Sequence, residues 1–260
     1  MEGNPLNPAD AAVVQYTSGK TGPAKGVLLT HKNLVANVLQ VSAWFNHLER
    51  GREVFFSILP GHQALGMTLA VNLPIYLAGS SIHQPRFDPI QFLNTVKAQK
   101  PSAFPALPAM IESLVWNPTL GKYRISSIHT YWSIGPSLPP EVLENYERKT
   151  GRRINEGYGL TEAAPLTHMN PFLGDRKPKS MGIPLPDTDA RIVDPKDGRT
   201  ELPAGKTGEL VIQGPQVMKG YWNQPQETER ALREGWLHTG DLAWMDEDGF
   251  FYYVDKMKRQ

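Results

Sequence analysis

The 260-residue chain has 27 basic and 26 acidic residues, a formal net charge of +1, and is 40% hydrophobic against 20% charged. That balance offers no basic surface for nucleic acid and no basic membrane anchor, and the length suffices for one large domain or two modest ones. The absence of cysteine excludes a disulfide framework, a cysteine nucleophile and a thiolate metal site, and fits a cytoplasmic protein, a thermophilic one, or one from which cysteine was removed.

Met1-Glu2-Gly3-Asn4-Pro5 lacks a basic n-region and an apolar h-region, so no secretory signal is expected. An apolar run at residues 11–14 leads into Tyr16-Thr17-Ser18-Gly19-Lys20-Thr21-Gly22-Pro23-Ala24-Lys25-Gly26, and Val27-Leu28-Leu29 follows. This reads as a strand, a loop and a short strand. The loop suits phosphate: glycines let backbone N–H groups approach, hydroxyls add donors and lysine adds charge. It is not a Walker A loop, because Ala24 and Gly26 flank Lys25. The residues alone leave a plain turn as the alternative.

Residues 31–46 place Leu34, Val35, Val38, Val41, Trp44 and Phe45 at helical spacing. Residues 54–59 read as a buried strand stopped by Pro60-Gly61. Residues 63–83 are the least charged stretch, but Gly66, Asn72, Pro74 and Gly79 interrupt them. A buried helix followed by a strand fits better than a membrane span. A helix is expected over 88–100, with Asp88 as N-cap and Pro89 at the first helical position. Then come a strand at 101–105, a helix near 110–116, a strand at 127–133, a helix at 139–150 ended by Gly151, and a strand from 153 into Gly157-Tyr158-Gly159. This alternation predicts an α/β fold, a mostly parallel sheet flanked by helices. After Pro171, proline and glycine become frequent and helices nearly vanish. Short runs at 190–193, 208–213 and 250–254 read as antiparallel strands of a smaller β-rich, barrel-like subdomain. The division expected is 1–185, 186–254 and a hinge stump at 255–260.

Tyr158-Gly159-Leu160-Thr161-Glu162 follows a predicted strand, where parallel sheets gather ligands. Glu162 there could hold Mg²⁺; a surface turn is the alternative. Trp236-Leu237-His238-Thr239-Gly240-Asp241 carries one carboxylate, able to accept two ribose hydroxyls or to cap a simple turn. The histidines at 62, 83, 129 and 168 lack metal-ligand spacing.

Taken in order, segments 16–26, 158–162, 208–215, 220–222, 236–241 and 253–256 give the chain a resemblance to the AMP-forming acyl-CoA synthetases. That adenylate-forming superfamily also contains luciferases and peptide-synthetase adenylation domains. Within it the chain looks most like the fatty-acyl and aryl-CoA ligases. The resemblance implies roles. Loop 17–26, with Thr17, Ser18, Gly19, Thr21, Gly22 and Lys25, would cradle the β- and γ-phosphates of ATP. Thr161 would contact the α-phosphate, and Glu162 would hold Mg²⁺. Gly135, Tyr158 and Gly159 would line the adenine and acyl pockets, and Asp241 would bind the ribose. Asp255 would be a hinge, with Lys256 where the family usually has Arg. The implied reaction joins a fatty or aryl carboxylate to AMP, after which CoA attacks the adenylate.

Full-length members are longer, by a C-terminal domain carrying the adenylating lysine and by the N-terminal part of the large domain. A central fragment with little or no complete ligase activity is therefore expected. Several pocket segments depart from the pattern. Lys20 stands for Thr or Ser, and Pro60-Gly61-His62-Gln63 for Pro-Leu-Phe-His. The stretch from Tyr131 to Leu138 replaces one closer to Cys-Ile-Ser-Gly-Ala-Ala-Pro-Leu, and Ala106-Leu107 replaces Gly-Val. Their concentration in the pocket suggests engineering. The alternative reading is a redesigned scaffold: Lys20 as a Schiff-base lysine, or His62 and Tyr131 as an acid–base pair beside Trp132. An inert scaffold, or an interaction module whose exposed apolar surface pairs into a homodimer, completes the set.

Overall fold

The computed structural model describes residues 6–17 and 24–257. Strand β1 (Ala11–Tyr16) runs antiparallel to β2 (Gly26–Thr30), with Tyr16 opposite Gly26, so the glycine-rich loop spans a hairpin. Helix α1 (His31–Trp44) begins in a capping box: the Thr30 side chain accepts from the Asn33 N–H and the Asn33 side chain accepts from the Thr30 N–H. Its inner face is partly polar. Asn33, Asn37 and Gln40 are buried and donate to the carbonyls of Val217, Leu166 and Pro186 at 2.7, 2.7 and 2.8 Å. Buried amides need such partners, so α1 is stitched to three distant segments, while Val35 from the expected apolar stripe is 56% exposed.

The large sheet is built next. Strands β3 (Val54–Ser57), β4 (Ser80–His83), β5 (Ala103–Ala106), β6 (Thr130–Ile134) and β7 (Asn155–Gly159) are parallel. Strands β8 (Leu166–Met169) and β9 (Ile183–Pro184) add on antiparallel, giving the order β4-β3-β5-β6-β7-β8-β9. Between β3 and β4 the chain is helical: α2 (Ala64–Gly66), a π segment (Met67–Asn72) and α3 (Leu73–Tyr76). Among the described residues no helix is long and apolar enough to cross a membrane. Helix α4 (Pro89–Gln99) starts where expected: the Asp88 side chain accepts from the Gln91 N–H at 2.7 Å, with Pro89 next. Helix α5 (Pro108–Val115) follows, and α6 (Pro140–Thr150) ends at Gly151 with φ +66°.

Neighbouring residues of the central strands feed opposite cores. Phe56, Phe104 and Tyr131 pack with Phe92 and Tyr146 on one face; Phe55 and Trp132 pack with Phe45 and Leu69 on the other. This corrects the acid–base pair read from the sequence. Tyr131 is fully buried, edge-on to Tyr146 with ring centres 5.4 Å apart, and burial raises its phenol far above the ordinary range. His62 is exposed on the turn before α2. A strand covered on both faces turns aromatic side chains into packing, not into a pocket.

Beyond β9 a second sheet forms from β10 (Asp189–Val193), β11 (Gly208–Gln213), β13 (Leu232–Arg233), β14 (Trp236–Met245) and β15 (Phe251–Lys256), paired antiparallel. Strand β12 (Gly220–Tyr221) instead joins β2, placing Tyr221 opposite Val27. Helix α7 (Pro225–Ala231), which the sequence reading did not anticipate, buries none of its residues and so carries no apolar stripe to read.

Candidate active site

Two sheets meet at Tyr158. It ends the parallel run at β7, and its hydroxyl donates to Asp241 Oδ2 on β14 at 2.5 Å. Burial, then the charges of Asp241 and Glu162, push the phenol well above its ordinary value, so it stays a donor. The other carboxylate oxygen, Asp241 Oδ1, pairs with Lys256 Nζ at 2.8 Å; Lys256 also donates to the Thr239 carbonyl at 3.0 Å. A carboxylate offers about four acceptor positions. Asp241 therefore keeps acceptor capacity suited to a pair of ribose hydroxyls. Gly135, with φ +135°, follows β6 at the same end of the sheet.

The turn after β7 is held from several sides. A Cβ on Gly159 would lie 2.2 Å from the Pro165 carbonyl oxygen, and the Leu160 N–H donates to that same oxygen at 2.9 Å. Thr68, in the π segment, donates to the Ala164 carbonyl at 2.9 Å. Asn37 clasps Leu166 at both N–H (3.1 Å) and C=O (2.7 Å). Thr161 and Glu162 thus sit on a short 3₁₀ turn (Thr161–Ala163) with a fixed base. Glu162 Oε1 accepts from the Tyr221 hydroxyl at 2.8 Å, and its main-chain oxygen accepts from the Met218 N–H at 2.8 Å. No described residue donates to Oε2. A carboxylate with no described donor on one oxygen fits Mg²⁺, which takes one or two protein carboxylates plus phosphate and water oxygens. Among the described residues no group of three or more His, Asp or Glu could hold a metal unaided.

At the loop, Thr17 and Lys25 close the hairpin: the Thr17 N–H donates to the Lys25 carbonyl at 3.0 Å and the Lys25 N–H to Thr17 Oγ1 at 3.1 Å. Ser18, Gly19, Lys20, Thr21 and Gly22 lie outside the described residues, and with them the Schiff-base reading of Lys20. The Lys25 ammonium is engaged by residues far along the chain. It is ion-paired to Glu227 and sits 4.7 Å above the centre of the Tyr221 ring. Sequence reasoning missed Tyr221, Glu227, Asn37 and Thr68 as parts of this assembly. The one available signal was Gly220-Tyr221-Trp222 as a motif; the pairings cross long stretches of chain.

Beneath the site, His168 on β8 is fully buried, with Nδ1 2.9 Å from Thr167 Oγ1 and no partner for Nε2. Burial lowers its pKa to about 3, so it is neutral. A cavity of about 520 Å³ opens elsewhere, lined by Arg191, Arg199, Arg233, Glu234, Trp236 and His238. It holds none of the site residues, and its arginines are engaged: Arg199 with Glu234 at 2.6 Å and Arg191 over Trp236 at 4.3 Å.

The fold is that of the adenylate-forming enzymes. The sequence profile of the AMP-binding enzyme family matches residues 1–222, and the chain belongs to that family. It is 45% identical over 249 residues to a long-chain-fatty-acid–CoA ligase of Bacillus subtilis, covering 96% of this chain and 44% of that protein. A feruloyl-CoA synthase from Amycolatopsis is 35% identical over 261 residues, covering 98% of this chain and 51% of that one. The crystal structure of ATP-bound MatB from Rhodopseudomonas palustris superposes with a TM-score of 0.90 at 32% identity, covering 96% of this chain and 49% of that one. The chain thus spans about half the length of the curated relatives it matches.

Proposed function

We propose that this chain forms the nucleotide-binding and adenylating portion of a long-chain fatty-acid–CoA ligase, acting on ATP, CoA and a fatty or aryl carboxylate in the cytoplasm. The observation that carries the reading is the Tyr158–Asp241 hydrogen bond. It ties β7, which leads into the Thr161–Glu162 turn, to the carboxylate that this reading assigns to the ribose, and so supports a single site built from two sheets. The change of sheet between β9 and β10 supports dividing the chain near residue 185, with a hinge at 255–260.

In this reading the loop from Thr17 to Gly22 binds the β- and γ-phosphates and Lys25 stabilises the base of the loop. Thr161 would donate its hydroxyl to the α-phosphate, and Glu162 would hold Mg²⁺. Asp241 accepts the ribose hydroxyls, and Gly135, Tyr158 and Gly159 line the adenine and acyl pockets. Bound Mg²⁺ supplies charge neutralisation at the phosphates. A carboxylate oxygen of the fatty acid forms a bond to the α-phosphorus as the bond to pyrophosphate breaks, giving acyl-adenylate; CoA thiol then displaces AMP. This chain's residues contribute position and fixed charge to the first step. Calorimetry with MgATP tests the reading: saturable heat that Asp241→Asn weakens supports it, and no heat at millimolar nucleotide overturns it.

A further inference from the structure

Glu162 is held by Tyr221 of strand β12 and by Met218 just before that strand, and among the described residues only Oε1 of its carboxylate receives a donor. The Tyr221 hydroxyl donates to Oε1 at 2.8 Å, while the Met218 N–H fixes the Glu162 main chain at 2.8 Å. The donor is itself anchored. Its main-chain N–H donates to Thr228 Oγ1 at 2.8 Å, β12 pairs it with Val27, and Lys25 lies over its ring at 4.7 Å, held there by Glu227. The pairing fixes the main chain from which the ring projects, and rotating the ring off Glu162 would uncover a nearly buried lysine, so the hydroxyl keeps its place on Oε1.

We propose that Tyr221 is a specificity-determining residue: by occupying Oε1 it leaves Glu162 one oxygen for a divalent cation and so favours Mg²⁺ over Ca²⁺. The inference rests on the reading of Glu162 as the metal-holding carboxylate. Mg²⁺ demands near-octahedral geometry and is content with single oxygens from one or two carboxylates, its other positions taken by phosphate and water. Ca²⁺ accepts six to eight oxygens in loose geometry and gains from a carboxylate that binds through both oxygens. A hydroxyl fixed on Oε1 withholds that second oxygen. The phenol suits the task because it carries no charge and does not compete with the cation for Oε2. The Lys25 ammonium, also close to Tyr221, is neutralised by Glu227 and stays off the carboxylate.

The test uses the full chain and measures the dissociation constants of MgATP and CaATP by calorimetry. Tyr221→Phe keeps the ring beneath Lys25 and removes only the hydroxyl. The expected result is that the ratio of the CaATP to the MgATP constant falls about tenfold, the size of effect that a hydrogen bond to a charged acceptor carries. A ratio unchanged within about twofold overturns the proposal, because a hydroxyl with only a structural role would weaken both complexes alike. Wild type that binds neither complex overturns the site reading and this inference with it; wild type that binds both with no change in ratio overturns the inference alone. Should Tyr221→Phe fail to fold, difference infrared spectroscopy of wild type with MgATP decides. The carboxylate stretches, assigned by their loss in Glu162→Gln, are expected at the wide splitting of single-oxygen binding, and the narrow splitting of two-oxygen binding overturns the proposal.

Discussion

Acidification should destabilise this fold through His168. The ring is wholly buried between the two sheets, 4.8 Å from Phe251 and 5.9 Å from Tyr158, and its Nε2 has no partner. Burial holds its pKa at about 3, against 6.5 for an unburied imidazole. The folded pKa is depressed, so the unfolded chain takes up a proton first as pH falls. The stability tied to the neutral ring is fully present above pH ~6.5 and is lost progressively down to pH ~3. Each pH unit in that window costs about 1.4 kcal/mol. Going from pH 7 to 5 therefore removes about 2 kcal/mol, a sizeable share of an ordinary domain's stability of about 5–15 kcal/mol. Urea unfolding of wild type and His168→Leu at the two pH values isolates the effect. The leucine variant, which cannot titrate and leaves no orphaned nitrogen, should lose about 2 kcal/mol less than wild type on acidification. Equal losses in both proteins would refute the reasoning, since the buried ring would then be free to protonate within the fold.

Gly159→Ala should disrupt the turn that carries Thr161 and Glu162, because its Cβ would meet the Pro165 carbonyl oxygen at 2.2 Å; a loss of about 1–3 kcal/mol in urea unfolding, with weakened MgATP binding, is expected. Asp88→Ala removes the cap of α4 and should cost about 1 kcal/mol without changing nucleotide affinity, which thermal unfolding and calorimetry check together. Phe104→Ala opens a void among Phe56, Phe92 and Tyr131 and should cost about 3–5 kcal/mol by the same unfolding assay. Glu227→Gln leaves the nearly buried Lys25 without its counter-charge and should cost about 1–3 kcal/mol, read as a lower denaturation midpoint.

The parts of the fold legible in the sequence are those written in local chemistry. Asp88 and Pro89 start a helix, Gly151 ends one, and Gly208–Gln213 is a strand in both readings. Helix α1 was legible as a helix, but its inner face was not. Asn33, Asn37 and Gln40 point inward because specific carbonyls far along the chain await them, and periodicity counts such residues as surface. Tyr131 looked like a pocket residue because it broke a family pattern; on a strand buried on both faces the change is packing. At the site, the motifs at 158–162 and 236–241 could be read singly. Their meeting could not, because Tyr158 and Asp241 are 83 residues apart and belong to different sheets. The partnership of Lys25 with Glu227 was hidden for the same reason, since 202 residues separate them.

The central claim is that an adenine nucleotide sits where β6 and β7 end, against Tyr158 and Asp241. Photolabelling the chain with 8-azido-ATP and Mg²⁺, followed by peptide mapping, tests it most directly. The label should fall on peptides containing Gly135 or Tyr158–Gly159 and should be displaced by AMP. Labelling that AMP does not displace, or that maps to the cavity between Arg191 and His238, would contradict the account.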